Sequence, residues 1–134
     1  MTPETQIAEF LDGSRFAVAG ASTDRDKYGN KVLRVYQQKG YDVVPINPKA
    51  DTVEGIAAVA SLKDIAEPVH GLSIVTPPSV TERVVNEAIE LGIRHIWMQP
   101  GAESDAAVTA AHQAGVNLIH GGPCVLVVLG FRDH

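Results

Sequence analysis

The residues best suited to chemistry form one run, Gly20-Ala21-Ser22-Thr23-Asp24-Arg25. It follows a short apolar stretch, Phe16-Ala17-Val18-Ala19, and leads into a helix. A glycine at a strand end turns tightly without a Cβ penalty, and the small residues after it let backbone N–H groups approach an anion. The helix that follows adds unpaired donors and the positive end of its dipole. These parts in this order make a phosphate-binding corner. Dinucleotide sites use the fuller pattern G-x-G-x-x-G. Here Ser22 and Arg25 stand at the second and third glycine positions, so the run predicts a bound nucleotide or phosphate but is not an NAD fingerprint.

Other reactive side chains are dispersed. His70 and His95 open strands, His112 sits on a helix face, and His134 is the last residue; each reads as surface or satisfied core. His120 and Cys124 both follow the fifth strand, where an imidazole beside a thiol would favour the thiolate. The expectation there is an inert cysteine, with a mixed disulfide to a thiol-bearing ligand as the alternative. No acid is placed to orient the imidazole, and the residues offer no catalytic constellation and no Cys/His metal spacing. Trp97 and Tyr36 read as core.

The elements that must position this corner alternate in type. Thr2 caps a first helix with Pro3 at its start and Ile7, Phe10 and Leu11 on one stripe, so residues 1–13 form an N-terminal helix. Strands are expected at Arg15–Ala19, Tyr41–Ile46, His70–Val75, His95–Met98 and Val116–Ile119. Helices fall between them, from about Asn30 to Lys39, from a Ser79-Val80-Thr81-Glu82 capping box, and from Ser104. Between Lys49 and Ala66 the sequence indicates a short helical turn, capped by Ser61 and running through Ile65, with a loop and a brief extended piece before it. An apolar tail, Val125–Leu129, follows the last strand.

Such alternation means a mostly parallel sheet with helices on both faces, a Rossmann-like α/β sandwich of order 3-2-1-4-5. The 134 residues read as one domain. A formal charge of -5 argues against general affinity for nucleic acid or anionic membrane. There is no apolar leader and no run long enough to span a bilayer, so the expected location is cytoplasmic. Five of the eleven basic residues (Arg25, Lys27, Lys31, Arg34, Lys39) lie close together, as a solvated helix face or as a phosphate-facing patch.

The two edges of the expected sheet differ. Helix-stopping glycines, Gly40, Gly92 and Gly115, mark the strand N-terminal edge. The opposite edge carries Gly20-Ala21-Ser22, Asn47-Pro48-Lys49, Thr76-Pro77-Pro78, Gln99-Pro100-Gly101 and Gly121-Gly122-Pro123. Open α/β sheets bind ligands at that second edge. An NAD site has Asp or Glu about 20 residues beyond its glycines, to hold the ribose 2′-hydroxyl. Lys49 favours a phosphate instead, which points to NADP or to a nucleotide with a 3′-phosphate such as coenzyme A.

Gly20-Ala21-Ser22, Asn47-Pro48, Ser61-Leu62, Glu67-Pro68-Val69 and above all Trp97-Met98-Gln99-Pro100-Gly101 resemble the stand-alone coenzyme A-binding domain family. That family is similar to the N-terminal domain of the succinyl-CoA synthetase α subunit and of ADP-forming acyl-CoA ligases. The resemblance, which runs from Arg15 to Cys124, implies that Thr23, Asp24 and Arg25 hold coenzyme A phosphates. It implies that Lys49 meets the nucleotide, and that Met98, Gln99 and Pro100 contact the ligand. Asp24 and Asp26 depart from the glycine-rich, lysine-bearing synthetase loop, and the domain carrying the phosphorylated histidine is missing from this sequence. The expected site therefore comprises Gly20, Ala21, Ser22, Thr23, Asp24, Arg25, Asn47, Pro48, Lys49, Thr76, Pro77, Met98, Gln99, Pro100 and Gly101, with coenzyme A or an acyl-CoA as ligand. The expected role is a non-catalytic binding module, or a sensor serving an unidentified protein partner. The alternative from another class is an NADP-dependent oxidoreductase or its remnant.

Overall fold

A computed structural model describes residues 2–133, so His134 lies outside the described residues. The chain runs α1 (Pro3–Leu11), β1 (Arg15–Ala19), α2 (Tyr28–Gln38) and β2 (Asp42–Ile46). A short hairpin, β3 (Thr52–Val53) and β4 (Ile56–Ala57), and a 3-10 turn at Leu62–Asp64 follow. Then come β5 (Gly71–Ile74), α3 (Pro78–Glu90), β6 (His95–Met98), α4 (Asp105–Gln113), β7 (Asn117–Ile119) and α5 (Val125–Leu129).

Five strands form one parallel sheet in the order β2-β1-β5-β6-β7. The α/β class and the five strands agree with the sequence; the expected order 3-2-1-4-5 does not. The third long strand, β5, pairs with β1 on the side away from β2, in the register Phe16↔Gly71 to Ala19↔Ile74. The place outside β2 falls to a single residue, Val59, bridged to Ile46. Residues 52–57 are spent on the hairpin and Ser61 already begins the 3-10 turn, so no length remains there for a strand. The switch point therefore opens between β1 and β5.

Alternation along β1 divides the core. Ala17 and Ala19 face Leu72, Val85, Ala88 and Ala111 beneath α3 and α4, whereas Phe16 and Val18 join Phe10, Val32, Val35, Tyr36 and Trp97 beneath α1, α2 and α5. Burial on both faces explains why these strands read as continuous apolar runs. Phe10, Phe16 and Tyr36 stack at 5.2 and 5.1 Å between ring centroids. Tyr36 places its hydroxyl 2.6 Å from Ser73 Oγ, and Trp97 Nε1 donates to the Pro123 carbonyl at 3.0 Å, so both large polar aromatics are satisfied core residues.

Helix starts are set locally. Thr2 caps α1 and Ser104 caps α4 through their side chains. Asp64 Oδ2 accepts from both the N–H and the hydroxyl of Ser61, as expected for the short turn. The Ser79–Glu82 capping box does not form. Pro78 already occupies the first helical position with Pro77 as N-cap, which moves Ser79 into the helix. Thr76 and Thr81, with hydroxyls 2.7 Å apart, brace that corner instead.

Candidate functional site

A cleft of about 780 Å³ opens at the C-terminal edge of the sheet, between the loops after β1, β2 and β5 and the first turns of α2 and α3. Gly20, Ala21, Ser22, Asn47, Pro48, Lys49, Thr76 and Pro77 line it. Gly20 is required by space and by backbone: φ is +91°, and a Cβ would lie 2.8 Å from the Val75 carbonyl oxygen.

Two buried or half-buried amides shape the loop after β1. Asn47 Nδ2 donates to the Ala21 carbonyl at 3.0 Å, and Asn30 Nδ2 donates to the Ser22 carbonyl at 2.9 Å. In a trans peptide the N–H points opposite to the C=O. Holding these two carbonyls therefore turns the N–H groups of Ser22 and Thr23 the other way. Among the described residues neither N–H has a protein acceptor. Consecutive free N–H groups of this kind form an anion-binding concavity. Asn47 Oδ1 also accepts from the N–H groups of Lys49 (2.8 Å) and Ala50 (3.1 Å), which fixes the loop that carries the lysine.

The N-terminus of α2 faces the same space. Its N-cap, Lys27, makes no side-chain capping bond, and Tyr28 and Gly29 line the cleft. First-turn N–H groups of a helix have no intrahelical acceptor, so this end adds donors and positive potential. Gly29 does what the third glycine of a dinucleotide loop does. A Cβ there would fall 1.9 Å from the Gly20 carbonyl oxygen, so only glycine lets α2 dock on the turn. The sequence hides this role, because the packing glycine sits nine residues beyond Gly20 rather than five.

Cations ring the opening. Lys27, Lys49 and Arg83 line it, and its one lining carboxylate, Glu87, accepts from the Lys63 N–H at 3.0 Å. Arg83 has no sequence pattern to mark it and is placed by the start of α3. The floor is apolar, formed by Ile46, Leu62, Val75, Val80 and Val84. Burial, and then the hydrogen bond to Cys124, push the Tyr28 phenol well above its ordinary pKa, so it stays protonated at neutral pH.

The remaining sequence-nominated residues lie elsewhere. Thr23, Asp24 and Arg25 are exposed and do not line the cleft. Asp24 Oδ1 accepts from the Asp26 N–H at 3.0 Å, and Ser22 Oγ accepts from the Asp24 N–H at 3.0 Å, so this segment is turned on itself. Arg25 lies 4.0 Å from the Glu54 carboxylate. Met98 and Gln99 are fully buried, and Pro100 and Gly101 are exposed beyond the cleft. Gln99 Oε1 accepts from the Val125 N–H at 2.9 Å and from the Tyr28 hydroxyl at 3.3 Å, which ties the end of β6 to α5 and α2.

The basic cluster divides between roles. Arg34 is buried, Lys31 lies 3.9 Å from Asp133, and Lys27 reaches the cleft. The partner of Cys124 is the Tyr28 hydroxyl at 2.6 Å, not His120, whose ring lies 5.8 Å from that of His112. His70 and His95 stack at 4.3 Å at the opposite edge of the sheet. Among the described residues no cluster of three or more His, Cys, Asp or Glu side chains could hold a metal, and no helix is long and apolar enough to cross a membrane.

This geometry has relatives. The Bacillus subtilis (strain 168) protein YneT is 30% identical over 117 residues, covering 87% of each chain. The ADP-forming acetate–CoA ligase II subunit alpha of Pyrococcus furiosus is 28% identical over 127 residues, and the match spans only 28% of that subunit. A conserved hypothetical protein of Pyrococcus furiosus has a solved structure that superposes with a TM-score of 0.81 at 37% identity, covering 85% of this chain and 97% of that one. The family model of the CoA binding domain matches residues 14–130, and the chain belongs to that family.

Proposed function

We propose that the cleft binds coenzyme A, free or acylated, and that the domain acts as a binding or sensing module without chemistry of its own. The observation that carries this reading is the loop after β1. Asn47 and Asn30 hold the carbonyls of Ala21 and Ser22, leaving two consecutive N–H groups free beside the uncapped end of α2. That arrangement suits a diphosphate. Lys49, Lys27 and Arg83 suit a further phosphate, and the apolar floor suits a pantetheine arm. Thr23, Asp24, Arg25, Pro100 and Gly101 would reach a ligand only from outside the cleft, and Met98 and Gln99, fully buried, would not touch it.

What lines the site supports a non-catalytic role: Tyr28 is held protonated, and the one lining carboxylate, Glu87, accepts from the Lys63 N–H. Catalysis, where needed, would come from a protein partner, and the similarity to one part of a ligase subunit fits that division. We place the module in the cytoplasm, a setting compatible with its free cysteine.

Thermal unfolding with coenzyme A, dephospho-coenzyme A, NADP and NAD tests the reading. A ligand that binds only the folded state stabilises it by about 2.7 kcal/mol at a hundredfold excess over Kd. Coenzyme A is expected to raise Tm most, dephospho-coenzyme A less, and NAD not at all. A shift with NADP alone sinks the proposal and favours an oxidoreductase remnant. Native mass spectrometry of the purified protein identifies any nucleotide that travels with it.

A further inference from the structure

Arg34, in the middle of α2, is only 4% exposed, and its guanidinium joins three separate segments. Nε donates to Asn30 Oδ1 at 2.7 Å, Nη2 to the Arg25 carbonyl at 3.0 Å, and Nη1 to Asp133 Oδ1 at 3.0 Å. Asn30, fully buried, passes the connection on to the Ser22 carbonyl. One buried cation and one buried amide therefore hold both ends of the loop from Ser22 to Arg25.

The third arm of that cation is the segment Phe131–Asp133. The Phe131 ring lies 5.0 Å from the guanidinium carbon, and Gln38 exchanges two hydrogen bonds with the Arg132 backbone, at 2.6 and 3.1 Å. Lys31 Nζ approaches the second oxygen of Asp133 at 3.9 Å. The segment does not line the cleft, yet it shares a rigid planar fork with the loop. A guanidinium donates in fixed directions, so moving one partner reorients the other bonds. The hydrogen bond from Arg34, and then the Arg34 and Lys31 charges, hold the Asp133 carboxyl below the usual carboxylate range.

We propose that residues 131–133 are a clasp on the phosphate loop: Asp133 and Phe131 fix the plane of Arg34, and Arg34 with Asn30 holds the Arg25 carbonyl and the Ser22 carbonyl, the second of which, by its orientation, leaves the Thr23 N–H group free. Asp133 and Arg34 are thus positioning residues, and they never touch the ligand. The inference rests on the reading of this loop as the anion site. By linkage the coupling is reciprocal: the clasp strengthens ligand binding, and ligand binding tightens the clasp.

Simple electrostatics and the clasp predict opposite signs for Asp133→Asn. Removing a negative charge near an anion site strengthens anion binding through the field alone. Loosening the clasp weakens it, by about five- to tenfold at the lower end of ordinary coupling. The experiment uses the full chain with Asp133→Asn and Asp133→Glu, coenzyme A as the probe, calorimetric titration, and backbone amide NMR with and without ligand. The expected result is weaker binding for Asp133→Asn and recovery for Asp133→Glu. A shifted Thr23 amide is expected in the free Asp133→Asn variant, with slower exchange of the residue 131–133 amides once coenzyme A is added. Unchanged or tighter binding by Asp133→Asn overturns the clasp. If the parent chain binds no coenzyme A, the functional reading fails separately, and the ligand-free amide shifts decide the clasp alone: no shift at Thr23 ends it. Asp133 has a side chain 57% exposed, so these variants keep the core intact.

Discussion

Gly29→Ala isolates the contact that seats α2 on the phosphate corner. An added Cβ would stand 1.9 Å from the Gly20 carbonyl oxygen, 2.9 Å from its carbon and 3.4 Å from Ala21 Cα. Carbon–oxygen contacts settle at about 3.3 Å or more, so a gap of roughly 1.4 Å must be opened. The obstacle is backbone and not the end of a flexible side chain. Overpacking of this kind costs about 1–3 kcal/mol, and rigid atoms on both sides place it near the top of that range. Alanine returns at most about 1 kcal/mol of helix propensity, and less in a first turn. The clash wins by about 2 kcal/mol, and Tm should fall by roughly 5–10 °C. The atoms pushed aside line the cleft, so coenzyme A affinity should fall on the order of tenfold or more. Thermal unfolding and calorimetric titration read the two effects together. A Gly29→Ala chain that keeps both Tm and affinity would show that α2 is free to slide, and the close-packing role would be wrong.

Two further outcomes follow from the geometry. Lys49→Ala and Arg83→Ala should each weaken coenzyme A binding about three- to tenfold at low salt while changing Tm by no more than a degree or two. Charge-assisted bonds carry roughly 1.5–3 kcal/mol before the screening expected at exposed sites. Unaltered affinity in either variant removes that residue from the site. The His95 pKa is lowered by burial first and then by the neighbouring His70, with Arg94 acting the same way and Glu9 opposing. The folded state therefore binds fewer protons than the unfolded chain just below the ordinary histidine pKa of about 6.5. Stability should be full above that value and decline as pH falls through the lower folded pKa. Urea unfolding from pH 7.5 to 5.5 should show this slope, flattened in His95→Gln; an equal slope in both proteins refutes the assignment.

The sequence by itself determined the parts whose causes are local. Phe16–Ala19 read as a strand covered on both faces, and Gly20 after it read as a tight corner. Asn47-Pro48-Lys49 told against an NAD ribose contact from the absence of one acid. These readings use propensity and pattern over a few neighbouring residues, and that information is written along the chain. Tertiary structure alone decided the rest. Sheet order turned on which strand the segment Gly71–Ile74 joins, and it pairs with β1 on the side away from β2. Gly29 and Arg83 entered the site, and Met98 and Gln99 sank beneath it, because their neighbours are distant in sequence. The amides of Asn30 and Asn47 reach carbonyls 8 and 26 residues away. The fork of Arg34 joins Arg25 to a carboxylate 99 residues from the arginine. No spacing rule encodes such contacts. They exist only once burial of the two faces of the sheet has brought the segments together and left each buried polar group to find the partner within reach.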